Sequence, residues 1–207
     1  YKNYFSQEHQ AVTEAKVREN MYKLEFEYIY NYIKIGKVLD FGCSGGEFLN
    51  YFYKHNFDCY GIEVDSEAAE IARKKFGDKI INAPLLKAEI KGFFDLIIFR
   101  GTIEHISEAK ETLIKAVSLL NRNKKSFIYI TSTPNIECIS AIIFKTSWTQ
   151  HLPEEHLYHF KKKHLDDLFA AYGLSCIASH YFYEETPYAN VEEDILKISD
   201  AIKLKKQ

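Results

Sequence analysis

The sequence predicts an α/β fold in which helices cover both faces of a mostly parallel β-sheet, giving a three-layer αβα sandwich. Short runs rich in β-branched and aromatic residues alternate along the chain with longer runs of helical periodicity. Strands separated by helices pair in parallel through right-handed crossovers, and a parallel sheet is normally covered on both faces. The length of 207 residues fits a single domain of this kind.

The predicted elements follow from these two periodicities. We place strands at Lys37–Phe41, Asp58–Glu63, 79–81, 94–99, 125–132 and 174–183. We place helices at 7–32, 46–55, Ser66–Phe76, 109–120, 165–172 and 191–206. Ser66 is the expected N-cap of its helix, because a serine hydroxyl can accept from the first free backbone amides. No strand is predicted after residue 183.

Composition argues against several functional classes. Lys and Arg number 27 and Asp and Glu number 29, a formal charge of −2, whereas a dedicated nucleic-acid binder needs a clear basic excess. No apolar run approaches the roughly 18 residues of a membrane-spanning helix. The four cysteines lack metal-binding spacings, which indicates free thiols and a cytoplasmic protein. Aromatic residues make up 15% of the chain, a surplus that base stacking or core packing would explain.

The most informative segment is the glycine cluster after the first predicted strand. This segment runs directly into a predicted helix and contains Asp40, Gly42, Gly45 and Gly46. Such a turn lets a ligand approach the backbone closely and aims the free amides of the helix start at it. The dinucleotide-binding fingerprint G-x-G-x-x-G does not fit, because its third glycine would be Glu47. Asp40 also favours a cationic ligand over a pyrophosphate.

Five segments carry motifs in a recognisable order. They are the glycine motif at 40–46, the acidic strand end at 61–65, a strand with a Glu-His turn at 94–106, a strand with a Pro-Asn end at 127–135, and a His-Leu-x-x-Phe motif at 156–160. Together they resemble class I S-adenosylmethionine-dependent methyltransferases, in the small-molecule branch related to ubiquinone-biosynthesis O-methyltransferases. The resemblance covers about residues 37–174. It implies a Rossmann-like methyltransferase fold, S-adenosylmethionine as cofactor and S-adenosylhomocysteine as product.

The resemblance also implies where the cofactor lies. The glycine loop passes the methionine end, an acidic residue holds the ribose hydroxyls, and apolar side chains enclose the adenine. An acidic residue about 20 positions beyond such a loop commonly accepts both ribose hydroxyls. The corresponding residues are Asp40, Gly42, Cys43 and Gly46 for the methionine end, Glu63 for the ribose, Val64, Asn82 and Ala83 for the adenine, and the Arg100 backbone for the methionine amino group.

Two histidines are the candidate catalytic residues. Methyl transfer to a hydroxyl needs a general base, and imidazole titrates near neutral pH. His105 follows the fourth predicted strand, at the edge where open α/β sheets bind ligands. His156 lies in the late motif beside aromatic residues and is a base or a substrate contact. The weaker candidates are His151 and His159, and we expect His9, His55, His164 and His180 at the surface.

Glu104 and His105 raise the question of a metal ion. Related O-methyltransferases can hold a divalent ion with such a pair and an acidic residue one helical turn earlier. That earlier position is Gly101 in this chain, so we expect no metal. Two other departures from the family pattern are Ser44, in place of the usual middle glycine, and Asn82, where an acidic residue often meets the adenine amino group.

We expect residues 1–207 to form one methyltransferase domain. Residues 1–34 would be a helical lid that brings Tyr1, Tyr4 and Phe5 over the cofactor, and 35–135 the cofactor-binding core. Residues 136–165 would be a substrate-side cap loop, and 166–207 the C-terminal part. The antiparallel strand that usually closes the sheet in this family has no candidate here.

The resulting hypothesis is a methyltransferase that moves a methyl group from S-adenosylmethionine to an oxygen of a small molecule. The favoured acceptor is a sugar, a sugar nucleotide or a surface-polysaccharide precursor. The alternatives are a quinone-type phenol, a carboxylate, or a non-catalytic S-adenosylmethionine-binding subunit. The glycine loop disfavours a nicotinamide oxidoreductase. The charge balance and the absence of an Asn/Asp-Pro-Pro-Tyr motif disfavour an RNA or protein methyltransferase. We expect neither nucleic acid nor membrane as partner, and a monomer or homodimer.

Overall fold

The computed structural model describes residues 12–148, 150–180 and 191–204. Within these residues the strands are β1 (Lys37–Phe41), β2 (Asp58–Glu63), β3 (Ile80–Asn82), β4 (Leu96–Arg100) and β5 (Phe127–Thr131). The α-helices are α1 (Val12–Tyr30), α2 (Leu49–Lys54), α3 (Ser66–Phe76), α4 (Ala109–Leu119), α5 (Ile139–Phe144), α6 (Lys162–Ala170) and α7 (Val191–Leu204). Short 3-10 turns occupy Gly77–Lys79, Ile103–His105 and Lys145–Ser147.

The five strands form one parallel sheet in the order β3-β2-β1-β4-β5. β1 lies at the centre, where Leu39 is in register with Tyr60 of β2 and with Ile97 of β4. The chain moves outward from β1 to β3, then returns to the other side of β1 and moves outward again to β5. The strand order therefore reverses between β1 and β4, and the crevice at the carboxyl ends of these two strands is where such sheets bind ligands.

Alternating side chains of the central strands build two separate cores. In β4, Leu96 and Ile98 pack in the core beneath α1, α2 and α3, whereas Ile97 and Phe99 pack in the core beneath α4 and α6. All four residues are at most 1% exposed. Because helices cover both faces, this strand is apolar at successive positions instead of alternating. The predicted three-layer αβα sandwich is confirmed.

The aromatic surplus belongs largely to these cores. Phe41 and Phe99 stack with ring centres 4.7 Å apart, and Phe94 is 1% exposed. On the opposite face of the sheet, Phe127 and Tyr129 of β5 pack against the core beneath α1, α2 and α3. Aromatic rings bury more area than other side chains, so a chain of this length gains much of its core from them.

Most predicted elements are confirmed. The bounds of β1, β2 and α3 match the prediction, and the other three strands differ by no more than two residues at either end. The N-cap of α3 is Asp65, not Ser66 as predicted, because the Asp65 side chain accepts from the Ala68 amide at 2.9 Å. Helix α6 begins at Lys162, three residues earlier than predicted, and α2 begins at Leu49 instead of residue 46.

The predicted strand at 174–183 is wrong over its described part. Residues 174–180 are exposed or half-exposed and pair with no described strand. A strand needs a neighbour for its backbone hydrogen bonds, and the β-propensity of these residues does not supply one. The short helix α5 was not predicted, since its apolar run resembles any core segment. Tyr1, Tyr4 and Phe5 of the expected lid lie outside the described residues.

Among the described helices, none combines the length and apolar character that crossing a bilayer requires.

Substitution of a core aromatic should cost far more stability than substitution of an exposed one. We expect Phe99→Ala to lower the free energy of unfolding by about 3–5 kcal/mol, because it leaves a cavity beside Phe41. Phe93→Ala, at a residue that is 59% exposed, is the matched control and should change it by less than about 0.5 kcal/mol. Urea unfolding measures both. Equal losses would contradict the proposed packing of β4.

Candidate functional site

The site begins with the loop between β1 and α2. The amides of Gly42 and Cys43 both donate to the Ile62 carbonyl, at 2.8 and 3.1 Å, which ties this loop to the end of β2. Gly42 and Gly46 have φ angles of 79° and 84°, in the left-handed region that favours glycine. The glycine spacing of the sequence therefore reflects a backbone that turns sharply at the carboxyl edge of the sheet.

A side chain at either glycine would collide with a neighbouring element. A Cβ atom at Gly42 would lie 2.7 Å from Thr102 Oγ1, and one at Gly46 would lie 2.6 Å from the Phe76 ring. Gly42 thus allows the loop after β1 to contact the loop after β4. Gly46 allows it to contact the end of α3. These close approaches set the shape of the crevice.

Glu63, at the end of β2, holds the glycine loop from the other side. Its Oε2 accepts from the Ser44 amide at 2.8 Å, and its Oε1 accepts from the Asp65 amide at 2.9 Å. Glu63 is 4% exposed, and these charge-assisted hydrogen bonds offset the cost of burying it. Each carboxylate oxygen can accept more than one hydrogen bond, so Glu63 can still bind a diol.

Asp40, on β1, is a buried acid without a full set of partners. It is 2% exposed, and its Oδ1 has no hydrogen-bond partner among the described residues. Burial raises the pKa of Asp40 to about 7, while the Arg100 charge opposes this rise and the Glu63 charge adds to it. An unpartnered buried carboxyl destabilises a core but can bind a cationic ligand group.

Arg100, at the end of β4, connects the site to helix α1. Its Nε lies 3.1 Å from Oε2 of Glu25, which is 1% exposed. The guanidinium carbon also lies 4.4 Å from the centre of the Tyr22 ring, a cation–π contact. Burial raises the pKa of Glu25, and the Arg100 charge opposes that rise. The side chain of Arg100 therefore fixes α1 against the carboxyl end of the sheet.

A third group of residues lies at the ends of β2 and β3. Val64 is apolar but 50% exposed. The Asn82 side-chain nitrogen donates to the carbonyls of Glu63 and Val64, at 2.8 and 3.1 Å. The Ala83 amide donates to the Glu63 carbonyl at 3.2 Å. These bonds hold Val64, Asn82 and Ala83 next to one another beside Glu63.

All nine residues that the sequence assigned to a cofactor lie at or just beyond the carboxyl ends of β1, β2, β3 and β4. Cys43 is among them, and it is 4% exposed. Burial raises the pKa of its thiol far above neutral, so Cys43 is a packing residue and not a nucleophile.

A second polar cluster follows β4 and consists of Glu104, His105 and His156. Glu104 is 1% exposed, and its Oε2 accepts from Thr133 Oγ1 at 3.0 Å. Its Oε1 lies 3.8 Å from His105 Nε2. The His105 and His156 rings have centres 4.9 Å apart. Burial raises the pKa of Glu104, and the Thr133 hydrogen bond and the nearby His156 oppose that rise.

Backbone hydrogen bonds explain why two distant segments meet in this cluster. The amides of Leu157 and Tyr158 donate to the Glu104 carbonyl, at 2.8 and 3.2 Å. The Tyr158 hydroxyl donates to the Ser107 carbonyl at 2.7 Å. The segment around His156 is therefore closed onto the turn after β4, which brings together the two histidines that the sequence singled out.

The remaining histidines are arranged less closely around this cluster. The His159 ring lies 6.0 Å from that of His156, and the His151 ring lies 5.1 Å from that of His159. His55, His164 and His180 are exposed, as expected, and His9 lies outside the described residues.

Two residues of the site were not assigned a functional role from the sequence. Glu25 carried no signal, because a charged residue on a helix is normally exposed. Glu104 raised only the question of a metal ion, since its nearness to His156 depends on tertiary structure. The Glu-His pair at a strand end was the signal that could have located this cluster.

Several solved structures share the fold. Magnesium protoporphyrin IX methyltransferase (ChlM) from Synechocystis PCC 6803, solved with bound SAH, has a TM-score of 0.65 and 14% identity, over 86% of this chain and 84% of its own. A SAM-dependent methyltransferase from Archaeoglobus fulgidus has a TM-score of 0.57 and 21% identity, over 93% of this chain and 91% of its own. One from Thermotoga maritima has a TM-score of 0.57 and 20% identity, over 76% and 72%.

No curated protein matches the chain significantly. A family profile described as "Methyltransferase domain" matches residues 15–179, which includes both polar clusters and all five strands. The chain therefore belongs to the methyltransferase domain family and is a methyltransferase that depends on S-adenosylmethionine.

Proposed function

We propose that this methyltransferase transfers the methyl group to an oxygen of a small polar molecule. The observation that carries the proposal is the pairing of two sites at the carboxyl edge of the sheet. One, around Asp40 and Glu63, suits the cofactor. The other, around His105 and His156, suits the acceptor. Thr102 stands just before Glu104 and His105 in the chain, and its side chain packs against Gly42 of the glycine loop. The two sites therefore adjoin across the crevice between β1 and β4.

The residues present fit S-adenosylmethionine. The unpartnered Oδ1 of Asp40 suits the ammonium group of its methionine end, and the glycines at 42 and 46 leave room for that end beside the backbone. Glu63 accepts from the ribose hydroxyls. Val64 and Ala83 enclose the adenine, and the Asn82 amide oxygen accepts from its amino group. When bound, the cofactor supplies an electrophilic methyl group on a positively charged sulfur.

His105 and His156 act on the acceptor. When a hydroxyl becomes a methyl ether, its O–H bond is lost, a new O–CH₃ bond forms and the S–CH₃ bond breaks. The proton needs an acceptor, and a neutral imidazole Nε2 can take it. His105 lies in the turn after β4, and His156 lies in the segment that is hydrogen-bonded to this turn. We therefore propose that residues 136–165 cover the acceptor, and that α1, within residues 1–34, supports the cofactor side through Glu25.

A sugar, a sugar nucleotide or a surface-polysaccharide precursor is the acceptor class that we propose. A groove of about 540 Å³ is lined by residues of α4 and α6 together with Ser107, Tyr158 and Phe160. The hydrogen bond from the Tyr158 hydroxyl to the Ser107 carbonyl connects this groove to the segments that carry the two histidines. Aromatic faces combined with a few polar groups are typical of sites that orient a polar ligand. A phenol or a carboxylate is the alternative acceptor. A cofactor-binding subunit without catalysis would not need two imidazole rings 4.9 Å apart at the carboxyl edge of the sheet.

Cofactor binding should weaken on acidification because of Asp40. Burial raises the pKa of Asp40 to about 7, so below this pH the carboxyl is increasingly neutral and attracts an ammonium group less. We expect the Kd of S-adenosylhomocysteine to rise by up to about tenfold per pH unit below 7 and to level off above it. Isothermal titration across this range measures the effect.

Asp40→Asn is the matched control for this pH dependence, since it preserves the shape of the side chain and removes the titrating group. The Asp40→Asn variant should bind S-adenosylhomocysteine more weakly than the wild-type chain at pH 8. Its Kd should change little with pH. The same slope in both proteins would contradict the role of Asp40.

Replacement of either catalytic histidine should slow methyl transfer and spare cofactor binding. We expect His105→Ala and His156→Ala to lose about 100- to 10,000-fold in kcat/KM, the usual loss when a general base is removed. The Kd of S-adenosylhomocysteine should not change. His55→Ala, at an exposed residue just after α2 that does not line this groove, is the matched control. Radiolabelled methyl transfer to UDP-glucose, GDP-mannose, catechol and benzoate provides the assay.

The acceptor panel tests the substrate class at the same time. Label in the sugar nucleotides supports the proposed class, and label in catechol or benzoate alone refutes it. Full activity in both histidine variants would refute the proposed acceptor site.

A further inference from the structure

The Glu104, His105 and His156 side chains offer three metal-binding atoms at one point. One carboxylate oxygen and one nitrogen of each imidazole lie within 4.8 Å of one another. Glu104 and His105 come from the turn after β4, whereas His156 comes from the late segment. The expectation of no metal was based on Gly101, where the acidic ligand of related enzymes is missing. The fold brings a different donor, His156, to the same pair.

Each imidazole is held by a backbone carbonyl on its other nitrogen. His105 Nδ1 lies 2.7 Å from the Glu155 carbonyl, and His156 Nδ1 lies 2.9 Å from the Gln150 carbonyl. A carbonyl oxygen can only accept, so Nδ1 carries the hydrogen in both rings. The lone pair of each neutral ring is then on Nε2. Histidines that bind metals are oriented in this way, by an Nδ1–H bond to a carbonyl or a carboxylate.

The Glu104 carboxylate is likewise oriented by a hydrogen bond. Thr133 donates to Oε2 of Glu104, and Oε1 faces His105 Nε2 at 3.8 Å. A buried carboxylate beside two imidazole lone pairs is destabilised unless positive charge lies between them. A divalent cation supplies that charge and satisfies all three donors at once.

We propose that Glu104, His105 and His156 bind a divalent transition-metal ion of the zinc class. Two imidazoles and one carboxylate form a donor set typical of Zn²⁺ and its first-row neighbours, whereas Mg²⁺ and Ca²⁺ select oxygen donors. Bonds of about 2.0–2.2 Å keep ligand atoms within about 4.4 Å of one another, so small side-chain rotations complete the site. Three protein ligands leave a coordination position for an exogenous oxygen.

This inference rests on the proposed function, because it concerns the acceptor side of the same site. An ion here would polarise the acceptor hydroxyl, whose proton would then leave to solvent water, whereas in the metal-free site a histidine Nε2 takes that proton as proposed above. The 21% exposure of the His105 side chain gives the ion access from solvent.

Cobalt binding to the metal-free full-length chain tests the proposal. Co²⁺ replaces Zn²⁺ in such sites, and its visible absorption reports nitrogen and oxygen ligation directly. After dialysis against a chelator, we expect one equivalent of Co²⁺ to bind and to be displaced by Zn²⁺ but not by equimolar Mg²⁺. His156→Ala and Glu104→Gln should each weaken Co²⁺ binding by about tenfold or more.

His159→Ala is the matched control, because its ring lies 6.0 Å from His156 and contributes no donor atom to the cluster. It should bind Co²⁺ like the wild-type chain. The Kd of S-adenosylhomocysteine, measured for every variant, reports whether the fold and the cofactor site are intact. The outer partner Thr133 offers a milder variant, Thr133→Val, which should weaken Co²⁺ binding without removing a ligand.

The two proposals fail in different ways. If the wild-type chain binds S-adenosylhomocysteine but no Co²⁺, or if His156→Ala binds Co²⁺ as tightly as the wild-type chain, the metal site is refuted and the histidine bases remain. Displacement of Co²⁺ by equimolar Mg²⁺ refutes the proposed ion class. If S-adenosylhomocysteine does not bind, the proposed function fails, and the cobalt titration still decides the metal site.

Discussion

The close contact between the loop after β1 and the loop after β4 is the constraint on which the rest of the site depends. It exists because β1 is paired with both β2 and β4, and because Gly42 has no side chain to collide with Thr102. The residues that flank this contact along the chain belong to the cofactor site around Asp40 and Glu63 and to the cluster of Glu104, His105 and His156. Asp40 precedes it on β1, and Glu104 follows it in the turn after β4. The order of strands thus determines which side chains meet.

Electrostatics gives this crevice its chemical character. Asp40, Glu63 and Glu104 are each at most 4% exposed, and Glu25 is buried behind them. Arg100 offsets part of this charge through its ion pair with Glu25. Such a concentration of buried carboxylates costs stability, and natural proteins retain such costs mainly at functional sites. A cationic cofactor beside Asp40 would relieve one of these costs, and a metal ion beside Glu104 would relieve another.

The sequence predicted the sheet well, because strand and helix periodicities are local and the buried strands are strongly apolar. Through the glycine loop and the acidic end of β2 it also assigned nine residues to the cofactor, which lie together at the carboxyl edge of the sheet and whose role stays a prediction. It could not predict that His105 and His156 meet, since 51 positions separate them in the chain and the backbone hydrogen bonds that join their segments are tertiary contacts. The ion pair of Glu25 with Arg100 could not be predicted for the same reason, because these residues are also far apart in the chain. The predicted strand at 174–183 is wrong over residues 174–180, because pairing, not propensity, decides whether a strand forms.

The most direct test of the account is a comparison of S-adenosylhomocysteine and NAD as ligands of the wild-type chain and of Glu63→Ala. We expect the wild-type chain to bind one equivalent of S-adenosylhomocysteine and no NAD, with a stabilisation of about 2.7 kcal/mol at 100 times the Kd. Glu63→Ala should lose about tenfold or more in affinity, since a charged hydrogen-bond acceptor is removed. Glu70→Ala, at an exposed residue of α3, should not. Binding of NAD in place of S-adenosylhomocysteine would contradict the assignment of the crevice between β1 and β4.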